Sequence, residues 1–443
     1  MRRSQIYLLL AFVLSSGTVY FHLRLFLPYA AQLRSSKGLG GGYSFGTDFY
    51  PIWLTAGEAQ HHRSNPYTAD ITRKIQIGVF GRPLNPRNPF DPPADCRAFA
   101  YPAFTDLIFW PLSLLPFETV RIALAVALAG ITTASIPLWL TALGYQVSRG
   151  QLLVLIMLTL SSYAALEGLF AAQPGLLVAF LVAASFDAIV KDRLFRAGSL
   201  FAFTLIKPQM SVLVLAYLLV WSFSEWQKRR NFVIGFLVWS SLLTATSMIV
   251  WPRWIAQWLG VLSSYRSYTP PPLISYAMGP KLGPILWTAL FAVSLILIWR
   301  TRSAPATSSM FLLSTCLLLA ITSITLLPGQ AVYDHIILLP GILLVLRSWR
   351  SILSYGRSAG LVLVAGAIAL FWQWIIATPL LVVHYSLRPG QPFNRTMLML
   401  PFHTAGSIPM AVLAVLGYAM GSALRHGSSD QQSLRELTPA EFS

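Results

Sequence analysis

Fifteen acidic side chains are spread over 443 residues, and one of them, Asp48, stands in the run Gly46-Thr47-Asp48-Phe49-Tyr50-Pro51-Ile52-Trp53. A carboxylate set among aromatic rings is a candidate general base. Phe49, Tyr50 and Trp53 would wall a pocket of low polarity and raise the carboxyl toward the range useful for proton abstraction. The competing role for Thr47 or Asp48 is to cap the helix that follows. Lys207, in Ile206-Lys207-Pro208-Gln209, puts one cation into an apolar stretch where proline frees backbone groups. It needs an anionic partner. A lipid phosphate would suit its point charge, and a carboxylate such as Glu167 or Asp334 would form a structural ion pair. Tyr333-Asp334-His335 opens a later apolar run. A carboxylate beside an imidazole can work as an acid–base or phosphate-contacting pair. Neighbours on a helix point in different directions, however, and a lone histidine at the start of a span is more often an interfacial hydrogen-bonding group.

Other tempting residues carry less. His61-His62 are adjacent, a poor arrangement for chelating one ion, and no third ligand follows. A divalent cation therefore has no ligand cluster to support it. Gly38–Gly42 is glycine-rich without a Lys-Ser/Thr ending, which reads as a linker and not a nucleotide loop. Cys96 falls in a long polar loop and Cys316 inside an apolar run, so no disulfide framework is implied.

The elements that must position these groups are membrane helices. The chain is 55% hydrophobic and 11% charged, with a mean hydropathy of +0.62, far too apolar for a soluble protein of this length. Apolar runs long enough to cross a bilayer recur throughout, and the alternating pattern of a membrane barrel is missing. The run that begins at Ile6 behind Arg2-Arg3 is too long for a cleaved signal segment and reads as a first span. The net charge of +17 comes largely from short basic clusters between apolar runs, the pattern of cytoplasmic loops beside anionic lipid; nucleic acid is not the expected partner.

Those clusters are Lys191-Asp192-Arg193 with Arg196, Lys228-Arg229-Arg230, Arg300 with Arg302, and Arg347 with Arg350 and Arg357. Anchored on them, about ten crossings are expected: Ile6–Pro28, Glu118–Leu143, Gln151–Glu167, Pro174–Val190, Phe232–Val250, Pro284–Trp299, Ser308–Leu327, Gln330–Leu346, Ala359–Val383 and Met397–Leu424. Both termini then face the cytoplasm, and the tail Arg425–Ser443 reads as disordered. Tyr29–Ala100 and Trp251–Gly283 become large extracytoplasmic loops. Within them Phe49–His61 and Trp251–Leu262 are expected to be helical, the second lying in the membrane interface or anchoring there through Trp251, Trp254 and Trp258. Tyr101–Pro116 is too short to be a crossing. Gly198–Trp221 lies between two cytoplasmic clusters, so it must enter and return, broken at Lys207-Pro208.

In order along the chain, these pieces resemble glycosyltransferase family 87, the DUF2029 group of integral-membrane GT-C enzymes. The resemblance rests on Asp48-Phe49-Tyr50-Pro51-Ile52-Trp53-Leu54-Thr55-Ala56-Gly57 with Asn65-Pro66-Tyr67, then Tyr101-Pro102-Ala103 with Pro111 and Leu115-Pro116, then Ala172-Gln173-Pro174, Ile206-Lys207-Pro208 and Tyr333-Asp334-His335. It departs at Ala103, where the family has a second proline, and at Ala172, where it has glycine before glutamine. The resemblance implies an all-α bundle of about 10–12 transmembrane helices, the number the apolar runs also allow, in a single domain over residues 1–424 with a catalytic first loop. It implies an inverting enzyme of the bacterial-type cytoplasmic membrane. A polyprenyl-phosphate donor would supply a mannose-like hexose or arabinofuranose to an envelope glycolipid or glycan outside the membrane. Asp48 would be the base. Lys207, then His335, then Arg266 would bind the donor phosphate, and Phe49, Trp53, Tyr101, Gln173 and Asp334 would line the pocket. A transporter or lipid flippase is the competing class, suggested by the broken Lys207-Pro208 hairpin.

Overall fold

A computed structural model describes residues 3–36, 38–39, 44–387 and 395–426. The tail from residue 427 and most of the Gly38–Gly42 stretch lie outside the described residues. The described chain is all helical, the architecture of a polytopic membrane protein. Among the described residues seven helices are long and apolar enough to cross a bilayer: Gln5–Ser35, Phe117–Ala142, Trp226–Val250, Leu273–Thr301, Val332–Ser354, Arg357–Ser386 and Thr396–Ser422. The other three expected crossings take different forms. Pro174–Val190 and Ser309–Thr325 are helices of 17 residues each, and the third is a bent pair.

That pair, Arg149–Leu160 and Tyr163–Ala171, meets at 58°, where one straight span was expected. The Ser162 hydroxyl accepts from the Ala165 N–H and so starts the second half at the break, while a capping box of Ser148 and Gln151 starts the first half at its far end. Neighbouring spans satisfy the backbone and hydroxyls exposed at the break. Gln373 Oε1 accepts from the Tyr163 N–H at 2.8 Å, Trp374 Nε1 donates to Ser161 Oγ at 2.9 Å, and Ser161 Oγ donates to Ser15 Oγ at 3.0 Å. The first span also differs from expectation, running on to Ser35. A π turn at His22–Phe26 precedes Pro28 and loosens the continuous helix where the proline ring and missing N–H interrupt its i→i−4 ladder.

The Gly198–Trp221 segment is a hairpin: Leu194–Ala202 leads to a tip at Lys207, and Val212–Ser224 leads away from it. Pro208 explains the tip: the residue before a proline is driven out of the helical region, and Lys207 has φ −137° and ψ 72°. A hydrogen bond of 2.9 Å between Thr204 Oγ1 and Ser211 Oγ closes the neck. Both arms lie beside the first turns of Trp226–Val250. A Cβ on Gly198 would collide with the Phe232 carbonyl oxygen, so only glycine permits this backbone approach, while Arg229 Nη1 donates to the Trp221 carbonyl at 2.8 Å.

The first long loop folds into two helices, Tyr50–His62 and Ala69–Phe80, with the short Phe104–Phe109 helix packed beneath. Trp254–Tyr268 lies across it. Trp251, which precedes it, and its own Trp254 and Trp258 are turned onto this loop and not outward as interfacial anchors. Trp251 and Trp254 are buried, Trp251 Nε1 donates to the Ser64 carbonyl and Trp258 Nε1 to the Ala100 carbonyl, and Asn65 Nδ2 donates to Gln257 Oε1 at 2.8 Å. The indole N–H groups thus serve to join two loops whose sequences are remote.

Candidate active site

Asp48 does not cap the helix that follows it. The N-terminal position belongs to Phe49, which makes no side-chain cap, and Thr47 Oγ1 turns back to Ser44. The Asp48 segment is instead hung from the end of the Tyr163–Ala171 half-helix: the Gly46 N–H donates to the Phe170 carbonyl at 2.8 Å and the Asp48 N–H to the Ala171 carbonyl at 3.2 Å. These are carbonyls that a helix C-terminus leaves without internal partners. The same half-helix then turns through Ala172 (φ 52°) and delivers Gln173. Ala172 stands in the left-handed region that glycine adopts freely and an L side chain enters at a cost of about 1–2 kcal/mol. This accounts for the glycine that the family resemblance expects there. Relief of that strain should offset the lost methyl group, so Ala172→Gly is expected to melt at or above the wild-type temperature in detergent. Ala172→Val should lower both the melting temperature and any activity that depends on Gln173.

Gln173 joins two charged ends. Its Nε2 donates to Asp48 Oδ2 at 2.8 Å, and its Oε1 accepts from Lys207 Nζ at 3.2 Å. Lys207 Nζ also donates to Asp334 Oδ1 at 2.6 Å and stands 4.8 Å from the centre of the Tyr333 ring. Of the two carboxylate partners weighed for Lys207, the structure supplies Asp334; Glu167 lies 3.4 Å from His22. Gly175 makes room for the pair, since a Cβ there would sit 2.5 Å from Asp334 Oδ1. Lys207 and Asp334 are buried, with side chains 8% and 1% exposed.

The other Asp48 oxygen takes a residue that the sequence does not announce. Arg97 Nη1 donates to Asp48 Oδ1 at 2.8 Å. This pair is more open, with side chains 23% and 18% exposed for Arg97 and Asp48. Arg97 has φ 73°, and nothing in Asp95-Cys96-Arg97 signals that backbone or that partner. The expectation of a raised Asp48 pKa is overturned. Burial by itself would raise the carboxyl, but the Arg97 charge and hydrogen bond, the Gln173 hydrogen bond and the Lys207 charge together bring it below the usual carboxylate range. Aromatic neighbours were a poor guide because the carboxylate faces cations and amides instead.

The remaining candidates divide. Tyr101 faces the cluster: burial, then the Asp48 charge, holds its phenol well above the usual value. Its carbonyl accepts from Tyr67 Oη at 2.9 Å. Phe49 is fully buried and packs edge-on against Phe109. Trp53 bonds to the Leu115 carbonyl at 3.0 Å and packs on Tyr50 and Phe117. Both therefore hold the Tyr50–His62 helix in place. Arg266 is exposed at the end of its helix. Its neighbour Tyr265 is the residue that feels the site, its phenol pushed up to about 12 by burial and then by Asp48 and Asp334. His335 diverges from Asp334: its Nδ1 lies 2.6 Å from Ser323 Oγ, and its ring borders an apolar cavity of about 100 Å³ with Leu339, Phe371 and Trp374. Among the described residues no group of three His, Cys, Asp or Glu side chains could hold a metal ion.

The sequence profile of glycosyltransferase family 87 matches residues 99–328, just over half of the chain. The chain belongs to glycosyltransferase family 87. No curated protein and no solved structure matches it significantly. The family match includes Tyr101, Gln173 and Lys207 and stops short of Asp48, Arg97 and Asp334 on either side. For a family 87 glycosyltransferase this division matters. The matched core carries the amide and the ammonium, and the structure brings both flanking carboxylates onto them.

Proposed function

We propose that this family 87 enzyme transfers a sugar from a polyprenyl-phosphate donor to an envelope glycolipid or glycan acceptor, with inversion. The observation that carries the reading is the line Asp48–Gln173–Lys207. A single amide, hydrogen-bonded at both ends, separates a carboxylate from an ammonium. An in-line displacement needs a base on the side of the incoming hydroxyl and positive charge on the side of the leaving group. Asp48 takes the proton of the acceptor hydroxyl. The acceptor oxygen bonds to the anomeric carbon from the face opposite the phosphate, and the carbon–oxygen bond to phosphate breaks, its electron pair leaving with the phosphate. Phosphate is a stable anion, so no general acid is required, unlike the paired carboxyls of a glycosidase. Lys207 offsets the charge that develops on it.

The membrane setting supports a lipid-linked donor. In this reading the hairpin tipped by Lys207 re-enters the membrane, where an ionisable side chain is costly and marks a site of function. The distribution of basic clusters favours a multi-pass protein of the cytoplasmic membrane, its two long loops and the Asp48 site outside and its termini inside. The transferred unit in this reading is a mannose-like hexose or arabinofuranose.

The test is a donor screen. Purified protein in lipid is incubated with radiolabelled polyprenyl-phosphate sugars and envelope extract, and label is expected to move into the extract's glycolipid or glycan. Transfer from nucleotide sugars alone would overturn the donor class. Solute uptake into proteoliposomes free of lipid-linked sugar, without any transfer, would favour a transporter.

A further inference from the structure

The apolar cavity that His335 borders has a volume of about 100 Å³ and lies between the broken pair Arg149–Leu160 and Tyr163–Ala171 and the spans Val332–Ser354 and Arg357–Ser386. The proposed transfer makes no use of it. Protein interiors are close-packed, and a space of this size among membrane helices is a departure from that rule. Thr159 and Ser162, on either side of the helix break, form part of its wall. Ser162, Gln373 and Trp374 also belong to the wall, but they spend polar atoms on the break. What faces the cavity is overwhelmingly hydrocarbon.

One end of the cavity adjoins the Lys207 end of the site. Val332, His335, Ile336 and Leu339 recur at i, i+3, i+4 and i+7 and give the cavity one wall. Asp334 turns off that stripe and pairs with Lys207. His335 Nδ1 is engaged by Ser323, outside that wall, while its Nε2 is buried with no hydrogen-bond partner among the described residues. A buried polar atom of this kind marks a place where a ligand atom or a water belongs. The wall continues along the same helix to Leu346, which is exposed, roughly 16 Å beyond His335 at 1.5 Å per residue. The cavity thus has a polar end next to the Lys207–Asp334 pair and an apolar end at the protein surface.

In-line displacement brings the acceptor from the Asp48 end and sends the phosphate off at the Lys207 end. The lipid chain that must start at the Lys207 end, where the cavity begins, is the one esterified to that phosphate. Volume decides how much of it enters. An engineered cavity of about 150 Å³ holds one benzene ring, so a cavity of about 100 Å³ encloses a single isoprene unit. We infer that this cavity takes the isoprene unit next to the donor phosphate. The enzyme then reads the branched first unit of the chain and leaves the remainder to the lipid along the Leu346 flank. This inference rests on the phosphate-donor reading.

The test measures binding without turnover. Inorganic phosphate, dimethylallyl phosphate, n-pentyl phosphate and benzyl phosphate are titrated calorimetrically into wild type, Ile342→Trp and Phe371→Ala in detergent. Ile342 and Phe371 line the cavity and are only partly buried; the first change fills it and the second widens it. Wild type should bind dimethylallyl phosphate on the order of a hundredfold more tightly than inorganic phosphate, the effect of burying a few carbon groups. Ile342→Trp should remove most of that gain and leave inorganic phosphate unchanged. The unbranched pentyl ester should bind wild type more weakly than the dimethylallyl ester. Benzyl phosphate, too large for the cavity, should bind poorly to wild type and well to Phe371→Ala. An undiminished dimethylallyl gain in Ile342→Trp would overturn the cavity as the chain site, and equal affinity for the pentyl and dimethylallyl esters would overturn the reading of the branch. Should Ile342→Trp fail to fold, benzyl phosphate decides: no gain in Phe371→Ala overturns the site. A wild type that binds neither inorganic phosphate nor any of its esters would instead sink the donor class.

Discussion

Asp48→Asn is expected to abolish glycosyl transfer while expression and detergent stability stay near wild type. General-base catalysis contributes about 10²–10⁴-fold, and an amide cannot take the acceptor's proton. The stability expectation follows from exposure. The Asp48–Arg97 pair reaches solvent, so water can satisfy the guanidinium, and partly exposed pairs are worth little. The amide oxygen that replaces a carboxylate oxygen can still accept one hydrogen bond from Gln173 or Arg97. Full activity in this variant would remove Asp48 as the base. The lowered Asp48 pKa adds a signature. The free enzyme keeps Asp48 ionised, so kcat/KM should not fall as pH drops from 8 to about 4, the usual carboxylate value, and the acid limb should appear only below it. The sign follows from the direction of the shift: a depressed pKa preserves the ionised base above the ordinary value and loses it as pH falls through the lowered one. A limb centred near 6 would point to a different group.

Lys207→Ala should act on both activity and folding. If Lys207 faces the leaving phosphate as proposed, removing it is expected to cost about 10²–10³ in kcat/KM for the donor, the scale seen when a transition-state charge loses one donor. It also strands Asp334, a carboxylate 1% exposed, and breaking a buried pair this way costs about 3–5 kcal/mol. The two effects separate in Lys207→Met/Asp334→Asn, which removes both charges. Its melting temperature in detergent should recover most of the loss while transfer stays low. Recovery of activity along with stability would show that Lys207 serves only to neutralise Asp334, and unchanged donor KM and kcat in Lys207→Ala would remove it from the donor site. Lys207→Arg is not a neutral control, since a planar fork does not fit where a compact ammonium meets an amide, a carboxylate and a ring.

Much of this was legible in the sequence, for reasons that can be stated. Hydropathy located the helices because a bilayer demands long apolar runs. It could not foresee the 58° break at Ser161-Ser162, because the groups that satisfy the opened backbone, Gln373 and Trp374, come from a different span. The hydroxyl pair Ser161-Ser162 at the break was the readable signal. Gln173, Lys207 and Asp334 were each legible as motif residues, and Asp334 was one of two carboxylates weighed for Lys207; the contacts found obey the residue types, since an ammonium only donates, a carboxylate only accepts, and an amide does both. Arg97 was not legible. It is one of 32 basic residues, and its partner lies 49 positions away. Phe49 and Trp53 misled because aromatic rings beside an acid suggest a pocket, when here they pack a helix onto its neighbours.

The hydrogen bonds from Gly46 and Asp48 to the carbonyls of Phe170 and Ala171 have a mechanical meaning. They bolt the base to the same half-helix whose next residues deliver Gln173, so two stretches separated by 125 positions along the chain form one rigid part. A tilt of that half-helix, such as a thinner bilayer would impose, carries base and amide together and leaves their spacing unchanged. What such a tilt does alter is the gap to the hairpin tip, where a 3.2 Å contact from Lys207 to Gln173 is the longest link in the line. In the proposed reaction, bilayer thickness would therefore tune the grip of Lys207 on the donor phosphate and leave the pairing of Asp48 with Gln173 untouched.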